Sequence, residues 1–320
     1  MNDIEVIGLG ALNMDHIYRV ERILTDGEAP VADYRLAPGG SAANTIYGLA
    51  KLGVRTGFLG VVGDDEQGRM LLGDLQSVGV DTGQIRLKAM KTGASFCLTE
   101  KRGKRAIYLF PGANSSLSIE DIDPVYVKQA KMLHMSSFAD EGQLDIQKQL
   151  LGMLPPSVKV SFAPGAIYAA KGLKAIAQII KKAHILFINR KEAEELTGES
   201  FQKGARSLLK QGCHIVAVTL GGGITRGKTK AACYIVSGEG EFIIEAQKAK
   251  KPGGDTVGAG DAFAAGFLYG FLQGKDLETC GYWGDLVASF SLTKTGARAG
   301  LPTLDELTKH CMEKRENTPK

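Results

Sequence analysis

The chain has 320 residues, of which 44% are hydrophobic and 23% are charged, and its formal net charge is +4. These values are typical of a soluble globular protein that is long enough to bury a core. The densest basic run, residues 101–105, is too short to indicate a nucleic-acid surface, so no nucleic-acid partner is predicted.

Cysteine, histidine and terminal patterns restrict the chemistry and the compartment. The five cysteines are scattered without a Cys-x-x-Cys pair, and the five histidines are equally dispersed, so reduced thiols and no structural zinc site are expected. The acidic start at residues 1–5 does not resemble a signal peptide, and the uncharged apolar stretch at residues 262–274 is too short to span a bilayer. We therefore expect a cytoplasmic protein with no membrane partner.

Apolar runs alternate with helical periods along most of the chain. This alternation predicts βαβ units and an α/β fold with a mostly parallel sheet covered on both faces. The predicted strands are residues 4–8, 56–62, 132–135, 159–162, 185–188 and 215–220. The predicted helices are residues 43–52, 67–77, 119–130, 145–154, 170–181, 190–196 and 201–211.

Two stretches interrupt this alternation, at about residues 12–37 and 92–110. The first has strand-like pieces with no helix between them, and the second has a hairpin pattern that turns near residues 102–104. Together they predict a small antiparallel sheet inserted into the α/β body as a lid. With no repeat or linker in the sequence, residues 1–320 are expected to form a single domain with this lid.

Two glycine-rich loops match nucleotide-binding patterns only in part. Residues 8–13, GLGALN, lack the third glycine of a dinucleotide fingerprint and run into a strand-like segment. Residues 222–229, GGITRGKT, fit the P-loop pattern, which requires a helix at its Gly-Lys-Thr. A hairpin pattern comes next instead, at residues 231–236 and 242–244. A P-loop NTPase stays open as an alternative function.

A third loop, DTVGAGDAF at residues 255–263, runs directly into an apolar helix. Amide N–H groups at a helix start bind anions, so Gly258, Ala259 and Gly260 are candidates for an anion hole. Asp261 would then lie beside a bound phosphate, where an acidic residue that only capped the helix would be poorly placed. The pattern favours Asp261 as the base that deprotonates a hydroxyl during phosphoryl transfer. The helix start is expected to keep this carboxylate ionised at neutral pH.

The chain resembles the ribokinase-like (PfkB) family of sugar and nucleoside kinases over essentially its whole length. The resemblance is carried by DTVGAGD at residues 255–261, GGSAAN at 39–44, NMD at 13–15, NRKE at 189–192 and TLG at 219–221. Supporting matches are GDDEQG at residues 63–68 and PGAN at 111–114. The implied fold is a three-layer α/β/α sandwich with a mostly parallel central sheet and a small β-sheet lid, through which family members often form homodimers.

The resemblance also implies a role for each matching residue. It implies ATP as phosphate donor, Mg²⁺, and a monovalent cation, usually K⁺. Substrate hydroxyls would be held by Asn13, Asp15, Gly39, Gly40 and Asn44. The nucleotide site would contain Asn189, Glu192, Thr219 and Gly221, with residues 289–297 beside the adenine. Glu192 would reach Mg²⁺ through water, and Asp255 would lie by the monovalent cation.

The sequence departs from the family at Ala163, where many relatives carry an acid. This departure leaves open a catalytically silent sugar- or nucleoside-binding regulatory module, although such a module would not need Asp261. The substrate is expected to be a nucleoside or a pentose-containing sugar. Phe96, Tyr108 and Phe110 alternate along the predicted lid; such a row could stack on a nucleobase, though packing on the body is the more common explanation.

Overall fold

A computed structural model describes residues 4–100, 104–226, 229–246 and 256–316. The strands of this part of the chain are β1 (Val6–Leu9), β2 (Asn13–Val20), β3 (Asp33–Gly39), β4 (Thr56–Gly63), β5 (Ile85–Lys88), β6 (Gly93–Glu100), β7 (Arg105–Phe110), β8 (Met132–Ser136), β9 (Lys159–Ala163), β10 (Ile185–Asn189), β11 (Ile215–Arg226), β12 (Thr229–Ser237) and β13 (Gly240–Glu245).

The helices of the same part are α1 (Ser41–Lys51), α2 (Glu66–Ser77), α3 (Pro124–Lys128), α4 (Gly142–Met153), α5 (Gly165–Ala170), α6 (Leu173–Lys182), α7 (Arg190–Thr197), α8 (Phe201–Lys210), α9 (Ala259–Leu272), α10 (Leu277–Ser291) and α11 (Leu304–Glu316). None of the helices in the described ranges is long and apolar enough to cross a membrane.

The central sheet has nine strands in the described residues, in the order β13-β12-β11-β10-β9-β8-β1-β4-β5. Every neighbouring pair from β5 to β11 is parallel, and β12 and β13 form an antiparallel edge. Ile7 and Leu9 belong to one apolar core cluster and Val6 to a second, because alternate side chains of a strand point to opposite faces. Helices cover both faces, so the predicted three-layer α/β/α sandwich is confirmed.

The predicted small sheet is also present, with the order β3-β2-β6-β7. β2 pairs with β3 and β6 with β7 in antiparallel fashion, whereas β2 and β6 run parallel. The sheet is therefore mixed, because the two hairpins come from separate places in the chain. We refer to these four strands as the lid.

Two predicted helices differ from the structure for local reasons. Residues 119–130 form a short 3-10 turn (Ile119–Asp121) and then α3, because Asp123 caps a new helix whose first residue is Pro124. Residues 170–181 are divided between α5 and α6 at Gly172, whose φ of 79° is incompatible with a continuous α-helix.

Candidate active site

The strand order of the central sheet reverses between β1 and β8. The chain moves from β1 outward to β4 and β5, and then returns to β8 and moves the other way. A crevice forms outside the carboxyl ends of parallel strands at such a point, and ligands of open α/β sheets bind there. The start of α1 lies at this edge, since Ala42 N donates to Ser136 Oγ at the end of β8 over 3.0 Å.

Asp261 lies where the first turns of two helices meet. Ser41 Oγ donates to Asp261 Oδ1 over 2.7 Å, and Asn44 Nδ2 donates to Asp261 Oδ2 over 2.8 Å. Both donors belong to the first turn of α1, and Asp261 belongs to the first turn of α9. Since a helix N-terminus carries positive partial charge, the junction suits an anionic group beside the carboxylate.

The backbone before Asp261 takes the conformation that the glycines permit. Gly258 has a φ of 74° and precedes α9, and a Cβ at this position would overlap Ala297. Gly260 is exposed, and a Cβ there would meet nothing within 4 Å. The first-turn amides therefore border open space, as an anion hole requires.

Burial raises the pKa of Asp261 to about 6, while hydrogen bonds from Asn44 and Ser41 and the nearby Arg298 guanidinium act in the opposite direction. The carboxylate is still mainly ionised at pH 7, but it is a stronger base than a helix-start aspartate with an ordinary pKa. This value lies nearer to neutral pH, where a general base is most effective.

Asp15 and Gly39 form part of the cleft on the lid side. Asp15 is 8% exposed, and its Oδ1 accepts a 2.5 Å hydrogen bond from Ser95 Oγ on β6. A Cβ on Gly39 would overlap the Asp15 carboxylate, so only glycine lets the β3 backbone run against it. Asn13 begins the same strand as Asp15, and Asn114 Nδ2 donates to its Oδ1 over 2.9 Å.

Gly40 and Asn44 connect this side of the cleft to Asp261. Gly40 precedes α1 with a φ of 101°, and a Cβ there would overlap the Ala11 carbonyl oxygen. The amide of Asn44 is engaged at both ends, because Nδ2 donates to Asp261 and Oδ1 accepts from Arg298 Nε over 2.9 Å. In this structure Asn44 therefore orients Asp261, and its predicted contact with a substrate hydroxyl stays a prediction.

The predicted nucleotide residues lie on two neighbouring strands and at the start of α7. Asn189 ends β10 and pairs with Thr219 on β11, and Gly221 follows at a register shift with a φ of 59°. Asn189 and Glu192 form a capping box at the start of α7: Glu192 N donates to Asn189 Oδ1, and Asn189 N donates to Glu192 Oε2 over 3.0 Å. Burial raises the pKa of Glu192, and electrostatic repulsion from Asp261 adds to the rise.

The residues present fit a hydrated magnesium ion. Mg²⁺ commonly keeps several waters and binds one or two carboxylates together with substrate phosphates. The Glu192 carboxylate at the start of α7 provides one such carboxylate. The described residues contain no group of three or more His, Cys, Asp or Glu side chains that could hold a metal alone. Asp255, predicted to lie by the monovalent cation, is outside the described residues.

The two other glycine-rich loops lack the helices that their patterns need. Residues 8–13 lead into the lid strand β2, which begins at Asn13. After residues 222–226, Arg226 and Thr229 pair as neighbours of the antiparallel strands β11 and β12. No helix starts at Thr229, although Gly227 and Lys228 themselves lie outside the described residues. In the part of each loop that the structure describes, the strand–loop–helix geometry that binds phosphates is absent.

The lid aromatics lie on the lid face opposite Asp15. Phe96 pairs with Tyr108 and with His16. Asp15 pairs with Ser95, and each of these two residues comes one position before His16 or Phe96 in its strand. Since side chains alternate between faces, Phe96, Tyr108 and Phe110 point away from the Asp15 carboxylate. They are 36%, 64% and 47% exposed. Phe96 stacks on His16 with a ring-centroid distance of 5.0 Å, on the same lid face.

Four polar residues of the cleft are not among the residues predicted from the sequence. Ser41 lies inside the GGSAAN segment and Asn114 inside PGAN, so the motifs themselves could have indicated both. Ser95 and Arg298 carried no signal, because each acts on a partner far away in the chain. Arg298 is 254 positions from Asn44.

Comparison with known proteins identifies the relatives of this arrangement. A family profile described as pfkB family carbohydrate kinase matches residues 1–304. An uncharacterized sugar kinase of Archaeoglobus fulgidus is 37% identical over 80% of this chain and 98% of its own length. An ATP-dependent ribose-1-phosphate kinase of Halopiger xanaduensis is 30% identical over 97% of this chain and 99% of its own.

Solved structures show the same architecture. The crystal structure of a ribokinase from Thermotoga maritima superposes with a TM-score of 0.82 and 25% identity, covering 97% of this chain and 99% of that one. A nucleoside kinase of Methanocaldococcus jannaschii superposes with a TM-score of 0.80 at 24% identity, covering 98% of this chain and 100% of that one, which supports the fold alone.

Proposed function

The chain belongs to the pfkB family of carbohydrate kinases, and we propose that it transfers the γ-phosphoryl group of ATP to a hydroxymethyl oxygen of a pentose-containing sugar or nucleoside. The observation that carries this proposal is the junction of α1 and α9, where Ser41 and Asn44 hold the Asp261 carboxylate between two helix N-termini. This arrangement supports a base and an anion site lying together at the carboxyl edge of the parallel sheet.

In the proposed reaction Asp261 accepts the proton of the substrate hydroxyl as its oxygen bonds to the γ-phosphorus. The bond between the γ-phosphorus and the β,γ-bridging oxygen breaks, and ADP leaves with that oxygen. The amides of Gly258, Ala259 and Gly260 would neutralise negative charge on the transferring group. Asn13, Asp15, Gly39, Gly40 and Asn44 would hold the acceptor, with Asp15 accepting from its hydroxyls.

We assign the binding site of the phosphate donor, ATP, to the edge formed by β10 and β11. Asn189, Glu192, Thr219 and Gly221 would hold the ATP phosphates and nucleoside there. Mg²⁺, held by Glu192 through water and by phosphate oxygens, would supply charge neutralisation at the phosphates. We also propose a monovalent cation, K⁺, beside Asp255.

A pentose-containing acceptor is supported by the names of relatives. Both the Halopiger kinase, named for ribose 1-phosphate, and a Haemophilus influenzae ribokinase, 29% identical over 93% of this chain, act on ribose compounds by name. Other relatives are named 5-dehydro-2-deoxygluconokinase, at 28% identity, so the family alone does not select the acceptor. The lid aromatics give no support for base stacking, because they face away from Asp15.

The pH dependence of kcat/KM should show an acid limb near pH 6. Only ionised Asp261 can accept the proton, and its pKa is raised to about 6, so activity is retained above this pH and lost below it. A pH–rate profile with saturating ATP measures the limb. An acid limb at the ordinary aspartate value, near pH 4, would contradict the assignment of this base.

Neither alternative function is favoured. A P-loop NTPase needs a helix after residues 222–229, where β12 begins at Thr229. A silent regulatory module was suggested by Ala163, which ends β9 at the cleft edge. The hydrogen bonds that orient Asp261 do not favour a regulatory module, because a protein that only binds its ligand does not need an oriented base.

We further propose that the body and lid form one domain and that two chains associate through the lid. The lid face opposite Asp15 carries Leu36, Phe96, Tyr108 and Phe110, which are all more than a third exposed. A contiguous apolar face of this kind commonly marks a protein interface. Sedimentation velocity should give the mass of a dimer at micromolar concentration, and a monomer at that concentration would contradict this assembly.

A further inference from the structure

Arg298 is a buried cation next to the cleft, in the segment that follows α10. Its residue is 6% exposed, and the guanidinium donates to three acceptors on three separate elements. Nε donates to Asn44 Oδ1 on α1 over 2.9 Å, Nη2 to the Gly39 carbonyl oxygen over 3.0 Å, and Nη1 to Asp74 Oδ2 on α2 over 2.5 Å.

An ion pair that is buried between these elements carries a large desolvation penalty, because the guanidinium is removed from water. A well-packed apolar residue often replaces a buried pair without loss of stability. Asp74 provides the countercharge, and the guanidinium lies 5.3 Å from the ring centroid of Tyr47. Stability alone therefore explains the pair poorly, and its contacts indicate a role at the cleft.

The guanidinium determines which way the Asn44 amide points. Arginine has five N–H donors and no acceptor, so only the Oδ1 end of Asn44 can face it. The Nδ2 end is then directed toward Asp261 Oδ2, to which it donates over 2.8 Å. If the amide turned around, its oxygen would face a carboxylate and the base would lose a donor.

The Arg298 side chain also contacts the part of the cleft that is proposed to bind the phosphoryl acceptor. Gly39, whose carbonyl oxygen accepts from Nη2, is the residue against which the Asp15 carboxylate packs. One planar, rigid fork therefore fixes Asn44 and Gly39 relative to each other. Asn44 contacts the proposed base, Asp261 of α9, and Gly39 lies against Asp15, which is proposed to bind the acceptor.

We propose that Arg298 is a positioning residue for phosphoryl transfer, which orients the Asn44 amide toward Asp261 and holds the Gly39 strand end against Asp15. This inference rests on the proposed function, in which Asp261 is the base. Arg298 need not touch substrate, since it acts through Asn44 and Gly39.

Several charged or titratable groups surround the two residues. Asp261 is influenced by Ser41 and Asn44 of α1 and by Arg298, and it interacts with Glu192 of α7. Arg298 is influenced by Asp74 of α2, Asp15 of β2 and Tyr47 of α1. Because Arg298 and Asn44 both favour the ionised form of Asp261, losing them should raise the pKa of the base and move the acid limb to higher pH.

The test compares Arg298→Met and Arg298→Lys with Lys51→Met as a matched control. Lys51 Nζ donates to the Leu301 carbonyl oxygen, so it ties the same segment to α1 without touching Asn44, Gly39 or Asp261. Melting temperature, kcat, KM for ATP and the pH profile are measured for each variant, using the best acceptor of the wild-type protein.

Arg298→Met should lower kcat about 10- to 100-fold, as is usual when a supporting partner is lost, and should move the acid limb to higher pH with KM for ATP unchanged. Arg298→Lys keeps the charge but not the fork, so kcat should fall similarly while the acid limb stays close to that of the wild type. Lys51→Met should lower the melting temperature and leave kcat and the acid limb as they are.

The proposal is overturned if either soluble Arg298 variant has the kcat of Lys51→Met, or if Arg298→Met leaves the acid limb in place. Should Arg298→Met fail to fold, Arg298→Lys decides through its kcat. Asp261→Asn is assayed in parallel: if it is inactive while Arg298→Met is normal, only this inference fails. If Asp261→Asn is fully active, the proposed function itself fails.

Discussion

Replacing Asp261 by asparagine is expected to lower kcat by roughly 10²- to 10⁴-fold, the usual loss for a general base. The amide has nearly the shape of the carboxylate: its oxygen can accept from Asn44 Nδ2 and its NH2 group can donate to Ser41 Oγ, which keeps the helix junction closed. It has no appreciable basicity, however, and cannot accept the substrate proton. The affinity for ATP should stay unchanged, because the residues proposed to bind ATP lie on β10, on β11 and at the start of α7. Steady-state kinetics and calorimetric titration of ATP measure the two effects separately.

Two control variants make this result specific. Asp276→Asn changes another aspartate at a helix start, where the side chain accepts from Thr279 N over 2.7 Å, and asparagine caps a helix as well as aspartate. Its kcat should equal that of the wild type. Lys228→Ala should also keep turnover, whereas a P-loop NTPase would lose it. Unchanged turnover in Asp261→Asn, or loss of turnover in Lys228→Ala, would contradict the assignment.

Replacing Asp15 by asparagine is expected to reduce kcat/KM for the acceptor by about 10- to 100-fold. A hydrogen bond to a charged group contributes about 1.5–3 kcal/mol, and about 1.4 kcal/mol corresponds to a factor of ten. The carboxylate is buried against Gly39, so a nearly isosteric amide fits the space but binds a hydroxyl less strongly. The loss should appear in KM for the acceptor, with KM for ATP unchanged.

Ser95→Ala distinguishes this role from a structural one. Ser95 Oγ donates to Asp15 Oδ1, so its loss removes one partner of the carboxylate and leaves the carboxylate itself in the cleft. If Asp15 serves the acceptor, Ser95→Ala should raise the acceptor KM less than Asp15→Asn does. Equal effects of the two variants would indicate that Asp15 and Ser95 merely hold the lid strands β2 and β6 together.

Features determined by local sequence could be predicted. The alternation of apolar runs predicted every parallel strand of the central sheet except the short edge strand β5, and the strand-like pieces predicted the lid. Glycines running into an apolar stretch placed Asp261 at the start of α9, because that pattern depends on neighbouring residues. The strand pattern after residues 222–229, in place of a helical one, also distinguished the P-loop match from the loop that carries Asp261.

Features determined by distant contacts could not be predicted. A lone arginine in a loop usually points to solvent, and nothing near Arg298 indicates that it will be buried against Asn44 and Asp74. The raised pKa of Asp261 likewise depends on burial between two helices more than 200 residues apart in the chain. Whether Phe96, Tyr108 and Phe110 lie on the lid face of Asp15 or on the opposite face depends on strand register. This register is fixed only when β2 pairs with β6.

The central claim is that this chain transfers a phosphoryl group to a sugar or nucleoside hydroxyl. Its most direct test is a panel of pentoses, pentose phosphates, hexoses and nucleosides incubated with the purified protein, ATP and Mg²⁺, with and without K⁺. Phosphorus NMR detects ADP and the phosphorylated product. We expect ADP release that depends on a pentose-containing acceptor and equals product formation. Binding of a panel member without any acceptor-dependent ADP release would contradict the claim and identify a regulatory module instead.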